Sequence, residues 1–172
     1  MGHTTPAGSK DAEPTIPAYI AVDIRRHEFA GTCRAQGIKA DKCHPQISAY
    51  SQQVEALKKD LSSSHPNIPV IVISDEPYTT PQYYKDNFGI PDGTSEAFWR
   101  ELMKTDWTSV NHTQLDTATK YGEWYPTLID ECILACATAL VGTSNSTSSQ
   151  LAANRVKSWV QGSVKMVNAF PN

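Results

Sequence analysis

Two short apolar runs and a set of helically spaced stripes mark out the architecture of this chain. Ala18-Tyr19-Ile20-Ala21-Val22 is apolar without a break, which predicts a strand over 17 to 24 covered on both faces of a parallel sheet. Farther on, Ile47, Tyr50, Val54, Leu57 and Leu61 recur at alternating three- and four-residue steps. That spacing predicts one helix with a single buried stripe. The cluster Ser62-Ser63-Ser64-His65-Pro66 ends it, and Pro69-Val70-Ile71-Val72-Ile73 supplies a second buried strand. Strand, helix and strand with a short return make a βαβ unit.

The remaining pattern extends this unit. Residues 30 to 45 read as a polar connection closed by Pro45. Residues 74 to 106 are punctuated by Pro77, Pro81, Gly89, Pro91 and Gly93, with a short amphipathic piece around Phe98, Leu102 and Met103. A brief third strand is expected from Trp107 to Val110. Pro126 suits the first turn of a helix, whose inner face would hold Leu128, Ile129, Cys132, Ile133 and Cys136. Ala139-Leu140-Val141-Gly142 predicts a fourth strand. The hydroxyl-rich turn Thr143 to Ser149 leads into a helix with Ala152, Val156, Trp159 and Val160 facing inward, and Gly162 ends it. Val164 to Val167 would add an edge strand. This order predicts an α/β fold, a three-layer Rossmann-like sandwich with a mostly parallel sheet. It would span residues 16 to 172 as one domain, with residues 1 to about 15 a disordered lead.

Composition narrows the function classes. At 172 residues and 40% hydrophobic content the chain can bury a sizeable core. Its formal charge of −3 offers no basic face for nucleic acid. No run approaches the roughly 20 apolar residues of a membrane helix, and residues 1 to 16 hold no apolar stretch of a secretory signal. Pro6 occupies the place where N-myristoylation wants Ser or Thr. The triplets Asn111-His112-Thr113 and Asn145-Ser146-Thr147 are sequons, a pattern that also arises by chance.

Three features fall at the carboxyl ends of the expected strands, where open α/β sheets place their ligand crevice. Arg25-Arg26 follows the first strand, Ser74-Asp75-Glu76 the second, and the Thr143 to Ser149 turn the fourth. A guanidinium presents a planar fork of donors that matches phosphate oxygens in pairs. The hydroxyl-rich turn opens a helix, whose free N–H groups attract anions. Ser146, Thr147 and Ser148 would add hydroxyl donors. The plainer readings are surface ion pairs for the arginines and simple N-capping for the turn. Asp75 and Glu76 could accept from a base or a ribose, or merely solvate a turn. Asp130 reads better as a structural carboxylate than as a pocket floor. His27 lies beside the arginines and could titrate near neutrality.

Four cysteines allow three pairings. Cys33 and Cys43 flank a stretch that a disulfide could staple, while a zinc site with Cys33, Cys43 and His44 is the sharper alternative, at a spacing no common finger shows. Cys132 and Cys136, four apart on a helix, read as packed thiols.

Taken together, these motifs resemble the C-terminal half of the fungal and animal O-fucosyltransferase-like proteins, two-domain glycosyltransferases of the GT-B architecture. The family pattern has a strand ending His-x-Arg-Arg-x-Asp-Phe and a cysteine-bearing loop. A strand ending Ser-Asp-Glu, an Asp-bearing helix, Val-Gly-Thr, Ser-Thr-Phe-Ser and an Arg-Val helix follow. Here those places read Asp23-Ile24-Arg25-Arg26-His27-Glu28-Phe29, Ser74-Asp75-Glu76, Asp130, Val141-Gly142-Thr143, Ser146-Thr147-Ser148-Ser149 and Asn154-Arg155-Val156. The likeness runs from about residue 17 to residue 160.

The resemblance implies a domain that binds GDP-fucose or a related nucleotide sugar without a metal or other cofactor. Arg25 would bind the diphosphate and assist leaving-group departure, Arg26 would support it, Asp75 would touch the nucleoside, and Thr147 and Ser148 the distal phosphate. It also implies a partner N-terminal domain and, with a Cys33–Cys43 disulfide, a place in the secretory pathway or outside the cell. Asp23 replaces the motif's His, Glu28 its Asp, and Ser148 its Phe, so weak or no transfer is expected of this chain alone. The alternative is a non-enzymatic carbohydrate-binding or defence protein on the same scaffold. A hydrolase using Asp75 or Asp130 with His27 ranks last, since no nucleophile elbow appears.

Overall fold

The computed structural model describes residues 16–38 and 42–169; the disordered lead expected at residues 1 to 15 lies outside them. Five strands pair in parallel: β1 (Ile20–Ile24), β2 (Val70–Ser74), β3 (Thr108–Ser109), β4 (Ala139–Thr143) and β5 (Ser163–Val167). Their order in the sheet is β3-β2-β1-β4-β5. The chain thus steps outward from β1 through β2 to β3, then returns to lay β4 on the other side of β1. That reversal is a topological switch point, the place where open α/β sheets hold their ligands.

Side-chain alternation along the central strands divides the core into two layers. Ile20, Val22 and Ile24 face α2 (Ile47–Leu61), packing with Tyr50, Val54 and Leu57. Tyr19, Ala21 and Leu140 face the opposite side with Leu134, Ala152 and Val156. Every residue of β1 is buried, including one carboxylate, Asp23. An apolar side chain so covered contributes about 1.5–3 kcal/mol. The three-layer Rossmann-like sandwich is therefore what the hydrophobic pattern implies.

The polar connection expected at 30 to 45 is partly helical. A 3-10 turn (His27–Phe29) runs into α1 (Ala30–Ala35), burying Phe29, Ala30 and Cys33. Cys33 and Cys43 are bonded to each other, with Phe29 and Ala169 packed around them. Both sulfurs are consumed in that bond, so the zinc reading with His44 is overturned.

Residues 74 to 106 are also more ordered than their Pro and Gly content suggests. They hold α3 (Gln82–Phe88) and α4 (Thr94–Leu102). Gly89 caps the first and Gly93 starts the second, each at positive φ where a Cβ would be strained. The buried face of α4 is Ser95, Phe98, Trp99 and Leu102; Met103, expected inward, caps the helix and stands 81% exposed. Two further short helices, α5 (His112–Leu115) and α6 (Thr117–Tyr121), follow β3. The Asn111 side chain caps α5 by accepting from the Gln114 N–H at 2.9 Å.

Corrections also fall on the last two long helices. In α7 (Tyr125–Ala135) only Leu134 and Ala135 are buried, while Leu128 and Cys132 are exposed. Only the C-terminal end of this helix reaches the sheet, so Cys132 is not a packed thiol. In α8 (Thr147–Trp159) the inner face is Ser149, Ala152, Ala153 and Val156. Trp159 and Val160 stand outside because the helix outruns its last inward residue, and the Arg155 guanidinium lies 5.6 Å from the Trp159 ring centre.

α8 ends at Trp159 with Val160 as its C-cap, ahead of the expected stop at Gly162, and Gly162 sits where a side chain does not fit. A Cβ there would lie 2.4 Å from the Thr138 carbonyl oxygen and 2.7 Å from Val156 Cγ1. Its N–H returns to the Val156 carbonyl at 3.0 Å, which pins the turn. Gly162→Ala is expected to cost about 1–3 kcal/mol in urea unfolding; an unchanged midpoint would show that the turn can shift freely.

Candidate functional site

The switch point gathers residues from β1, β4 and the start of α8. Thr143, at the end of β4, is the stitch between strands. Its Oγ1 donates to the Asp23 carbonyl at 2.9 Å and accepts from the Arg25 N–H at 3.0 Å. With its own proton committed, it accepts from the Tyr50 hydroxyl at 2.8 Å. Burial pushes the Tyr50 phenol well above its ordinary range, so it stays a donor. The network fixes where the chain leaves the sheet at Arg25.

Arg25 then reaches across to α8. Its Nε donates to Asp23 Oδ1 at 2.7 Å, and its Nη2 donates to Ser148 Oγ at 2.8 Å. Ser146 caps α8, accepting from the Ser149 N–H at 3.3 Å. Ser149 Oγ donates to Asp23 Oδ2 at 2.6 Å and accepts from the Thr143 N–H at 3.0 Å. Asp23 is thus sequestered between a guanidinium and a hydroxyl, with no exposure to solvent. Burial outweighs the downward pull of Arg25 and Ser149 and leaves its carboxyl raised to about 6. Burial works against the Arg25 charge too, but Asp23 and Asp75 hold it firmly protonated.

Carboxylates continue outward from this pair. Ser148 Oγ donates to Glu131 Oε1 at 2.6 Å, and Arg155 Nη1 donates to Glu131 Oε2 at 2.9 Å. Arg25, Ser148, Glu131 and Arg155 are therefore joined in one hydrogen-bonded chain, with the Glu131 carboxylate lying between the Ser148 hydroxyl and the Arg155 guanidinium. Nearby, His112 Nε2 lies 2.9 Å from Asp130 Oδ1 and its Nδ1 lies 3.2 Å from Thr117 Oγ1. Burial raises the Asp130 carboxyl despite the pull of His112.

Arg26 turns the other way. Its guanidinium lies 4.6 Å from the Phe98 ring centre, with Nε 2.8 Å from Glu76 Oε2. Glu76 also meets His27 Nε2 at 3.3 Å. Burial favours its neutral form, yet His27, Arg26 and Ser95 together keep its carboxyl below the usual range. Asp75 is engaged with the main chain: its oxygens accept from the Arg26 N–H at 2.8 Å and the Glu28 N–H at 3.2 Å. The carboxylate offered for a nucleoside therefore holds the turn after β1.

Of the residues singled out from sequence, the fold brings Arg25, Ser146 and Ser148 together, with Thr147 exposed at the first position of α8. It separates Arg26 from Arg25 and gives each its own carboxylate. Sequence reasoning missed Glu131 and offered Arg155 only as part of the Arg-Val motif, because their link depends on two helices docking side by side. It had one usable clue to the Arg25 partner, a lone carboxylate inside an apolar strand, because buried charges demand pairing. Among the described residues no helix is long and apolar enough to cross a membrane, and no three His, Cys, Asp or Glu side chains are grouped to hold a metal ion. No protein-family model matches this chain, and no curated protein matches it in sequence.

Proposed function

We propose that this chain binds a nucleotide sugar of the GDP-fucose type in the crevice above β1 and β4, as the donor-binding half of a fucosyltransferase-like protein. The observation that carries this reading is the 2.8 Å contact from Arg25 Nη2 to Ser148 Oγ across the switch point. It places a guanidinium against the open amide end of a 13-residue helix, two elements that favour diphosphate oxygens independently. In this reading Arg25 neutralises charge on the leaving diphosphate, and the amides of Thr147 and Ser148 take the distal phosphate.

The same geometry supports feeble turnover. Asp23 already balances Arg25, and Glu131 occupies the Ser148 hydroxyl. A diphosphate has to displace that hydroxyl and share the guanidinium with a buried carboxylate.

Isothermal titration and thermal unfolding with GDP and GDP-fucose test the reading. At one hundred times the dissociation constant, a ligand specific to the native state raises stability by about 2.7 kcal/mol. Binding is expected in the millimolar to micromolar range, weakened by Ser148→Ala and lost in Arg25→Met. No heat and no shift with either compound at millimolar concentration removes the proposal.

A further inference from the structure

Arg26 belongs to a second cleft, on the α2 side of the sheet. Its volume is about 360 Å³, and its lining includes Arg26, His44, Ile47, Pro91, Ala97 and Phe98. A chamber of about 20 Å³ adjoins it, sharing Arg26 and His44 and adding His27 and Glu76. The larger space is within the range of small-molecule pockets.

Three buried nitrogens here make no hydrogen bond: Arg26 Nε, His27 Nδ1 and His44 Nδ1. Buried polar atoms without partners are uncommon and call for an explanation. The His27 side chain is only 8% exposed, and its Nε2 faces the Glu76 carboxylate. Since a carboxylate only accepts, Nε2 donates to it and Nδ1 is left turned away from that partner. Arg26 Nε, although 2.8 Å from Glu76 Oε2, points its N–H off that oxygen. A guanidinium N–H and two imidazole nitrogens without partners therefore lie around the cleft and its adjoining chamber.

Charge selects the class of ligand. Arg26 is balanced by Glu76, and Glu101 adds a negative group to the lining. Burial, reinforced by Arg26, drives His44 down to about 4, so its ring is neutral. Two carboxylates, Glu76 and Glu101, oppose an anion here, and the described residues group no three His, Cys, Asp or Glu side chains to hold a metal ion. A neutral molecule whose adjacent groups both donate and accept, with C–H surface between them, matches this floor and the walls of Pro45, Ile47, Pro91 and Ala97.

We propose that the cleft between the start of α2 and α4, floored by Arg26 and His44 with His27 in the chamber beside them, binds one neutral saccharide unit through its hydroxyl groups. The site stands apart from the Arg25 crevice and does not depend on the nucleotide-sugar reading.

The test uses protein labelled with nitrogen-15 at histidine and follows the ring nitrogens during titration with D-mannose, L-fucose, D-galactose and N-acetylglucosamine. Inorganic phosphate and acetate are the charged comparisons. At least one sugar is expected to shift His44 and His27 saturably, while neither anion does. Ala97→Phe, at an exposed position of α4, narrows the cleft, and His44→Phe removes the ring nitrogens. Each is expected to weaken sugar binding by about tenfold or more, while any thermal shift with GDP stays that of the parent chain. The proposal is overturned if no sugar moves either ring, if phosphate or acetate moves them instead, or if both variants bind sugar as the parent does. The first outcome assigns the three nitrogens to buried water alone.

Discussion

Arg25→Met is expected to lose about 3–5 kcal/mol of stability at pH 8 and much less at pH 5. Methionine keeps the unbranched stem, so packing changes little, but Asp23 loses the one cation within hydrogen-bond reach among the described residues. Removing one partner of a buried ion pair leaves the other uncompensated, which is where the cost of that size arises. The pH dependence follows from the Asp23 carboxyl, which burial raises from 3.8 to about 6. Between those values the folded protein holds a proton that the unfolded chain does not. Stability from this group is therefore fully present below 3.8 and is lost as pH rises through 6, by about 3 kcal/mol in the parent chain. Without Arg25 the carboxyl climbs higher still, so the loss extends to higher pH. Urea unfolding at the two pH values measures this directly. Equal destabilisation at both would falsify the view that Asp23 is the group Arg25 serves.

Tyr50 offers the second large effect. Its ring is fully buried in α2 beneath the sheet, and its hydroxyl reaches Thr143, the residue that positions Arg25. Tyr50→Ala is expected to cost about 3–5 kcal/mol, because a large cavity opens against β1 and β4. Tyr50→Phe keeps the packing and removes one donor, and Thr143 retains the Arg25 amide and the Asp23 carbonyl. About 1 kcal/mol is expected there. If the two variants unfold at the same denaturant midpoint, packing is not what this side chain contributes. The phenylalanine variant has a separate use: under the proposed nucleotide-sugar reading, a GDP affinity below that of the parent would show that the Thr143 network orders Arg25.

The strands were the most legible part of the chain because burial on both faces leaves only apolar residues to choose from. β2 and β4 fall within one residue of the runs that announce them, and β1 ends where expected but starts three residues later, at Ile20. The α2 stripe was legible for the same reason, with Tyr50, Val54 and Leu57 all covered. α7 and α8 were legible as helices and misread in their faces. Apolar periodicity says that a helix has an inner side, but how far that side extends depends on where the sheet stops beneath it. Leu128, Cys132 and Trp159 all lie beyond that limit.

The candidate site shows the same division more sharply. Residue types and strand ends placed Arg25 and the Ser146 to Ser148 turn at one edge, since parallel strands present their carboxyl ends together. Adjacent residues leave a strand in opposite directions, however, and the alternation sends Arg25 toward Ser148 and Arg26 toward Glu76. Whether a guanidinium is free or already paired depends on carboxylates remote in sequence, and Glu76 lies 50 positions from Arg26.

Hydrophobic periodicity and strand-end chemistry were therefore enough to specify the α/β sandwich and the edge where its chemistry gathers. Both are local properties, encoded over a few residues at a time. Only the tertiary structure decided which charges balance each other, that Cys33 joins Cys43, and that Arg26 floors a cleft of its own. Those outcomes depend on which distant groups packing brings within about 3 Å, a distance that no spacing along the chain records.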